Sequence, residues 1–347
     1  MKNFKGLVLV VLITSTINYN ANAFSIPLFG TTFSVKNNIS PRSQWKANYG
    51  YCGEIAIISA GLYYGQYLSQ YDARAIASPG IKQNKSNSQL LLGVNDEASA
   101  KRMRLKYESK STSSNADFYA WVKNHVSKNH PVIIGVYNNE FLLYGDANLN
   151  AGDDEYDHIV PVIGIGSNYS LTDSFYLDDV ILFSDNGLYA PNGTIPDYYL
   201  YDGTTFLKNR QMANSKNSQI YSLAEYPVNK YGIAILGVMD TNNETFPVRV
   251  ETSINSELPE IKNNSSTRPA SRSLILTITV SQLIPGIKYN LFRYSNENNT
   301  PIVNFNANSK IKGILPWKVI SISSGTTWTT SVAIKSSDKV FFRAVKS

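Results

Sequence analysis

Apolar residues recur at two different spacings along this chain, and the change falls near residue 240. In the first part Ile55, Ile58 and Leu62 stand three and four residues apart, which predicts a helical region over Cys52–Ala77 with only Gly61 and Gly65 as weak points. A second helix is predicted over Ala116–Lys128, capped by Asn115, with Phe118, Trp121, Val122 and Val126 on its inner face. Three short apolar runs then read as strands: Pro131–Tyr137, Ile159–Ile165 and Asp179–Phe183. Helices first and strands later predict an α+β arrangement and not alternating βαβ units.

After Asp240 the helical spacing disappears. Runs rich in Val, Ile, Thr, Tyr and Phe recur between turn residues at Pro247–Ser253, Leu274–Val280, Tyr289–Tyr294, Val319–Ser323, Thr327–Ile334 and Val340–Val345. This pattern predicts an all-β sandwich over residues 240–347. Within it, Leu283–Tyr289 (LIPGIKY) resembles the strand crossover of fibronectin type III-like modules. The polar stretch Glu257–Ser273 reads either as a linker or as a long loop of the second module.

The N-terminus changes the compartment. Lys2 and Lys5 precede an apolar run, Gly6–Ile13, and Ala21-Asn-Ala23 supplies small residues two apart, so residues 1–23 read as a signal peptide. The run is too short to span a bilayer, and no later stretch is long enough. A secreted protein is expected, extracellular or periplasmic if bacterial, with residues 24–239 as its first domain. Removal of the two lysines lowers the formal charge from +6 to +4, and no block of like charges marks a nucleic-acid partner. One cysteine and three histidines leave no ligand set for a zinc ribbon or an iron–sulfur cluster, and neither metal nor cofactor is expected. The acidic stretch Asp146–Asp157 lacks the glycine and terminal glutamate of a calcium loop, so it reads as a solvated acidic loop.

In an oxidising compartment a lone cysteine is either an inert buried thiol or a reactive one. Cys52 begins the first helix, where the partial positive charge of the N-terminus favours a thiolate. His158 opens an apolar strand and is the best-placed base, whereas His125 and His130 read as solvated surface residues. Asp185 closes the next strand and would orient the imidazole, with its neighbour Asn186 as the rival for that role. Gln44 and Asn48, upstream of the nucleophile, are the candidates for an oxyanion donor. Glu54 lies in the first helical turn, where a carboxylate suits the helix dipole but opposes a nearby thiolate.

The order Cys, His, Asp, with the cysteine heading a helix and the histidine heading a strand, resembles papain-like cysteine peptidases. It is most similar to the bacteriocin-processing, double-glycine branch. Tyr51–Gly65 (YCGEIAIISAGLYYG), His130–Val136 (HPVIIGV), Asp157–Gly164 (DHIVPVIG) and Ile181–Asp185 (ILFSD) carry the likeness. It covers Gln44–Gly187 and does not extend to the β-rich part. The resemblance implies a papain-like catalytic domain acting on a protein or peptide substrate. In it Cys52 is the nucleophile, His158 the base, Asp185 its orienter and Gln44 the oxyanion donor. The same three residues would serve a transglutaminase-, deamidase- or amidase-like acyl transfer, because all of these pass through a thioester. The remaining alternative is a catalytically dead secreted binding protein, with the β-sandwich as a surface- or glycan-binding part.

Overall fold

A computed structural model describes residues 30–188, 198–224, 230–254, 257 and 259–347. The candidate signal peptide therefore lies outside the described residues. The first part contains β1 (Phe33–Lys36), α1 (Cys52–Tyr63), β2 (Gln66–Tyr67), α2 (Gln70–Ala77), α3 (Asp96–Arg102), β3 (Leu105–Thr112) and α4 (Asn115–Ser127). It continues through β4 (Val132–Asn138), α5 (Glu140–Tyr144), β5 (His158–Ser167), β6 (Val180–Ser184) and β7 (Tyr198–Asp202). Short elements follow: α6 (Gly203–Phe206), β8 (Leu207–Lys208), α7 (Arg210–Ala213), β9 (Tyr221–Ala224) and the longer β10 (Lys230–Val238). The second part contains β11 (Thr245–Phe246), β12 (Val248–Thr252), β13 (Ser273–Val280), β14 (Lys288–Tyr294), α8 (Phe305–Ile311), β15 (Lys318–Ser321), β16 (Trp328–Lys335) and β17 (Val340–Lys346).

The architecture is α+β with largely antiparallel sheets. A nine-stranded sheet runs β3-β10-β4-β5-β6-β7, with β1 paired to β5 and β9 to β4. Its central strands are apolar on both faces, which is why they read as continuous hydrophobic runs. Ile133, Ile159, Ile233 and Ile235 face the cluster containing α1, while Val132, Ile134, Val136, Val160 and Val162 pack with Phe118, Trp121 and Val122 of α4. The period-two alternation of a strand thus divides one sequence run between two cores.

α1 is not the one-faced amphipathic helix that its spacing predicts. Every residue from Gly53 to Tyr63 is buried. The helix is covered by the large sheet on one side and by residues of the second part on another, because Ile55 and Ile58 share a cluster with Leu276, Ile278 and Phe341. It also ends sooner than predicted. Gly65 adopts φ +76°, and a Cβ there would lie 2.8 Å from Val248 Cβ, so only glycine suits the break before β2. Ser69 then caps α2, its hydroxyl accepting from Asp72 N at 3.1 Å. The cap of α4 is Ser114, one residue before the predicted Asn115, with Oγ accepting from Asp117 N at 3.2 Å.

In the second part, the five-stranded sheet β11-β17-β14-β15 includes β2 from the first part, paired to β17, and a three-stranded sheet runs β12-β13-β16. The predicted absence of helix after residue 240 is corrected by α8, a short turn of helix that buries Phe305. Tyr289 Oη accepts from Ile284 N at 2.9 Å, tying the crossover to the start of β14. The Glu257–Ser273 stretch is a packed loop and not a free linker: Glu257 O accepts from Trp45 Nε1 at 2.9 Å, and its carboxylate meets Arg42 at 3.3 Å and Gln70 Nε2 at 2.9 Å. Among the described residues no helix is long and apolar enough to cross a membrane.

Candidate active site

The backbone before Cys52 turns through three successive left-handed residues, Asn48 (φ 51°), Tyr49 (φ 70°) and Gly50 (φ 82°). Two of these are not glycine, so the conformation costs energy and must be held from outside. Arg74 does much of that holding. Its Nη1 donates to Asn48 O at 2.8 Å, its Nη2 donates to Gly50 O, and its guanidinium lies 3.5 Å from the Tyr51 ring centroid. From the second part, Asn263 Oδ1 accepts from Asn48 N at 3.0 Å, and Ser265 O accepts from the Asn48 side-chain amide at 2.7 Å. The chain is thereby aimed into α1 with Cys52, which is partly exposed, as its first residue. Gly53 makes the close approach possible, since a Cβ there would lie 2.1 Å from Leu90 O.

Glu54 does not confront the thiol as an unpaired charge. Its carboxylate is 2.6 Å from Arg74 Nε and accepts from Leu90 N at 3.0 Å, and both partners of the ion pair are buried. The carboxylate that sequence spacing sets against a thiolate is neutralised by the residue that shapes the approach to it.

His158 is positioned by register and by the residue before it. Its Cα pairs with Val136 across β4. Asp157 locks the preceding turn, accepting from Asn138 N at 2.8 Å and from Asp153 N at 2.7 Å while pairing with Arg210. Two residues of the predicted solvated acidic loop, Asp153 and Asp157, therefore make structural hydrogen bonds. The imidazole is 1 % exposed and its Nε2 lies 3.5 Å from Asp185 Oδ1. That is an ion-pair contact without hydrogen-bond alignment, and Nε2 has no other partner. It leaves Nδ1 as the nitrogen free for Cys52. Burial opposes a charged ring, yet the Asp185 carboxylate and Cys52 more than offset it and push the His158 pKa up to about 9. Both neighbours therefore favour the charged imidazolium over the neutral ring.

Tyr221 is a site residue that the sequence did not reveal. Its ring stacks on His158 with centroids 5.6 Å apart, and its hydroxyl donates to Asp185 Oδ1 at 3.0 Å. It lies 36 residues after Asp185 on a short strand, so no local pattern links them. One side chain contacts both His158 and Asp185.

Asn186, the rival orienter, has a different task. Its Nδ2 donates to Cys52 O at 3.1 Å and to Ile159 O at 2.6 Å, stapling the start of α1 to β5. Gln44 lies beside the approach to Cys52: Gln44 N donates to Asn186 O at 2.8 Å, and its Nε2 is 3.6 Å from where a Gly50 Cβ would stand. Asn48, whose amide is committed to Ser265, is not available as an oxyanion donor.

Of the other two histidines, His125 corrects the surface assignment, while His130 is half-buried in a loop. His125 is buried, and its Nε2 lies 3.3 Å from Glu108 Oε1 and its Nδ1 3.3 Å from His130 Nδ1. The outer face of α4 is covered by β3 and by the loop before β6, which also buries Lys123 against Asp179 at 2.9 Å. Sequence periodicity cannot see a cover supplied by distant segments. No group of His, Cys, Asp and Glu among the described residues is arranged to hold a metal ion.

The structure thus brings Cys52, His158 and Asp185 together, with Gln44 and Asn186 adjoining, from four separate stretches of chain. Comparison of the chain with protein-family models, with characterised proteins and with solved structures finds no match.

Proposed function

We propose that the chain is an exported cysteine peptidase in which Cys52 attacks the scissile carbonyl, with a papain-like first domain and a β-sandwich second domain. The observation that carries this reading is a buried imidazole standing between a lone thiol at a helix start and a buried carboxylate. Sγ forms a bond to the carbonyl carbon, and the oxyanion faces the Cys52 N–H at the helix start and the Gln44 amide. The C–N bond breaks as the His158 imidazolium gives its proton to the departing amine, leaving a thioester. Water then adds as neutral His158 takes its proton, the C–S bond breaks, and the acid product leaves with thiolate and imidazolium restored. Asp185 holds the ring and its charge throughout. The crossover hydrogen bond from Ile284 N to Tyr289 Oη supports the sandwich reading, since a tyrosine corner braces such modules in that way.

Alkylation of the secreted protein by iodoacetamide tests the ion pair. Cys52 is expected to react readily at pH 6–7, whereas in His158→Ala the rate should climb only above about pH 8, where a free thiol ionises. Equal pH profiles for the two proteins would remove the basis of the proposal. Mass spectrometry of peptide mixtures, with Cys52→Ala as control, then identifies the cleaved bond and shows whether water or an amine takes the acyl group.

A further inference from the structure

A cleft of about 450 Å³ opens at the seam of the two parts, at the far end of α1 from Cys52. Along a 12-residue helix this places the cleft about 17 Å from Cys52. Lys128, Arg249 and Arg343 line the cleft together with His130, and none of its lining residues is acidic. The two arginines are held in fixed positions. Arg249 Nη2 donates to Tyr63 Oη at 2.9 Å and its guanidinium lies 4.4 Å from that ring's centroid. Arg343 is 1 % exposed, with Nη1 donating to Phe342 O at 2.7 Å and Nη2 to Gln66 Oε1 at 3.2 Å.

What the arginines lack is a counter-charge. The Arg343 Nε is buried without a partner, and neither guanidinium forms an ion pair with a carboxylate among the described residues. Asp240 acts on Arg343 only at a distance, since its Oδ2 accepts from Thr245 N and Oγ1 at 2.7 and 2.8 Å. Burial pulls the Arg343 pKa down to about 10, which still leaves it cationic at neutral pH. A buried cation with no carboxylate in contact is costly, and an anion entering the cleft would relieve that cost. The carbonyls at the end of α1 would repel an anion, but Gly61 O and Leu62 O already accept from Tyr64 N and Gly65 N. Tyr64 and Phe246 add aromatic surface for an organic body.

We propose that this cleft binds an organic oxyanion, a carboxylate or phosphate carried on a planar or apolar body, with Arg249 and Arg343 gripping the oxygens and Lys128 at the mouth. Guanidinium forks suit both groups, and the volume exceeds what an inorganic ion needs. The inference does not depend on Cys52 chemistry. Because residues of both parts line the cleft, occupancy should stabilise the whole molecule.

Calorimetric titration of the full-length protein with phenyl phosphate and with benzoate, at ionic strength matched by potassium chloride, tests the site. Saturable binding of one or both is expected, with a rise in Tm that potassium chloride does not reproduce, and the stronger of the two identifies the preferred group. The Arg249→Gln and Lys128→Gln variants alter partly exposed side chains, and Tm without ligand checks their folding. The pair together should weaken binding by about tenfold or more, while Cys52→Ala binds as wild type. No saturable binding of either compound, or affinity unchanged in the double variant, would overturn the assignment.

Discussion

At the scale of single residues, the site separates roles that chain order cannot. Tyr221 donates to Asp185 and stacks on His158, so Tyr221→Phe keeps the stack and deletes only the hydroxyl. A hydrogen bond to a charged group contributes about 1.5–3 kcal/mol. Cys52 acylation by an activated ester should therefore slow by about tenfold in Tyr221→Phe, with an altered pH profile and little change in Tm. A loss confined to Tm would assign the tyrosine to packing alone. Asn186→Ala should behave differently from Asp185→Ala, because its amide holds Cys52 O and Ile159 O and does not touch the ring. It should cost about 1–3 kcal/mol of stability in chemical denaturation, from the buried carbonyls left unpaired. Protonation of His158 also sets a stability window. Its folded pKa of about 9 lies above the ordinary 6.5, so the contribution is fully present below 6.5 and is lost as pH rises through 9. Thermal melts from pH 6 to 10 should show Tm falling over that window in wild type and a flatter curve in His158→Gln.

Among the elements, α1 is the one on which the site depends. Its N-terminus is shaped by a left-handed run that Arg74 fastens, and Arg74 is fastened in turn by Glu54. Arg74→Met would leave a buried carboxylate unpaired and free two carbonyls of the approach loop at once. Removing one member of such a pair costs about 3–5 kcal/mol. Arg74→Met should therefore lose both stability and Cys52 alkylation, whereas Glu54→Gln, which keeps hydrogen-bonding atoms in place, should retain more of each. Denaturant melts paired with thiol labelling would decide it, and the ordering reversed would mean that the loop holds itself. The helix itself was legible from its apolar content. Its early end was not, because the steric conflict at Gly65 is with Val248, which is remote in sequence.

Across the whole molecule, packing crosses the boundary that periodicity draws at residue 240. β2 supplies an edge to the sheet of β17, Phe342 N donates to Gly65 O at 2.7 Å, and Arg268 pairs with Asp72. One hydrophobic cluster contains α1 and the strands of the second part alike. A chain ending at Met239 would expose that cluster and release the Asn48 loop from Asn263 and Ser265. It should accordingly be insoluble or unreactive at Cys52, and the intact protein should unfold in a single transition by calorimetry. Two separate transitions, or a soluble and reactive truncated chain, would show that the second part is dispensable.

Local pattern determined much of this protein. Apolar runs marked β4, β5 and β6, turn-separated β-branched runs marked the second part, and residue type together with place, Cys52 before a helix and His158 before a strand, made these two the candidate catalytic side chains. These features depend on neighbours a few residues away, which one sequence displays. Others were decided only by the tertiary structure. Tyr221 as a brace, the division of labour between Asp185 and Asn186, and the pairing of Glu54 all arise from residues 20 to 134 positions apart. The burial of His125 and the charged cleft likewise need segments that no helical or strand period connects. A period reports which face of an element is apolar, but not what comes to cover the other face.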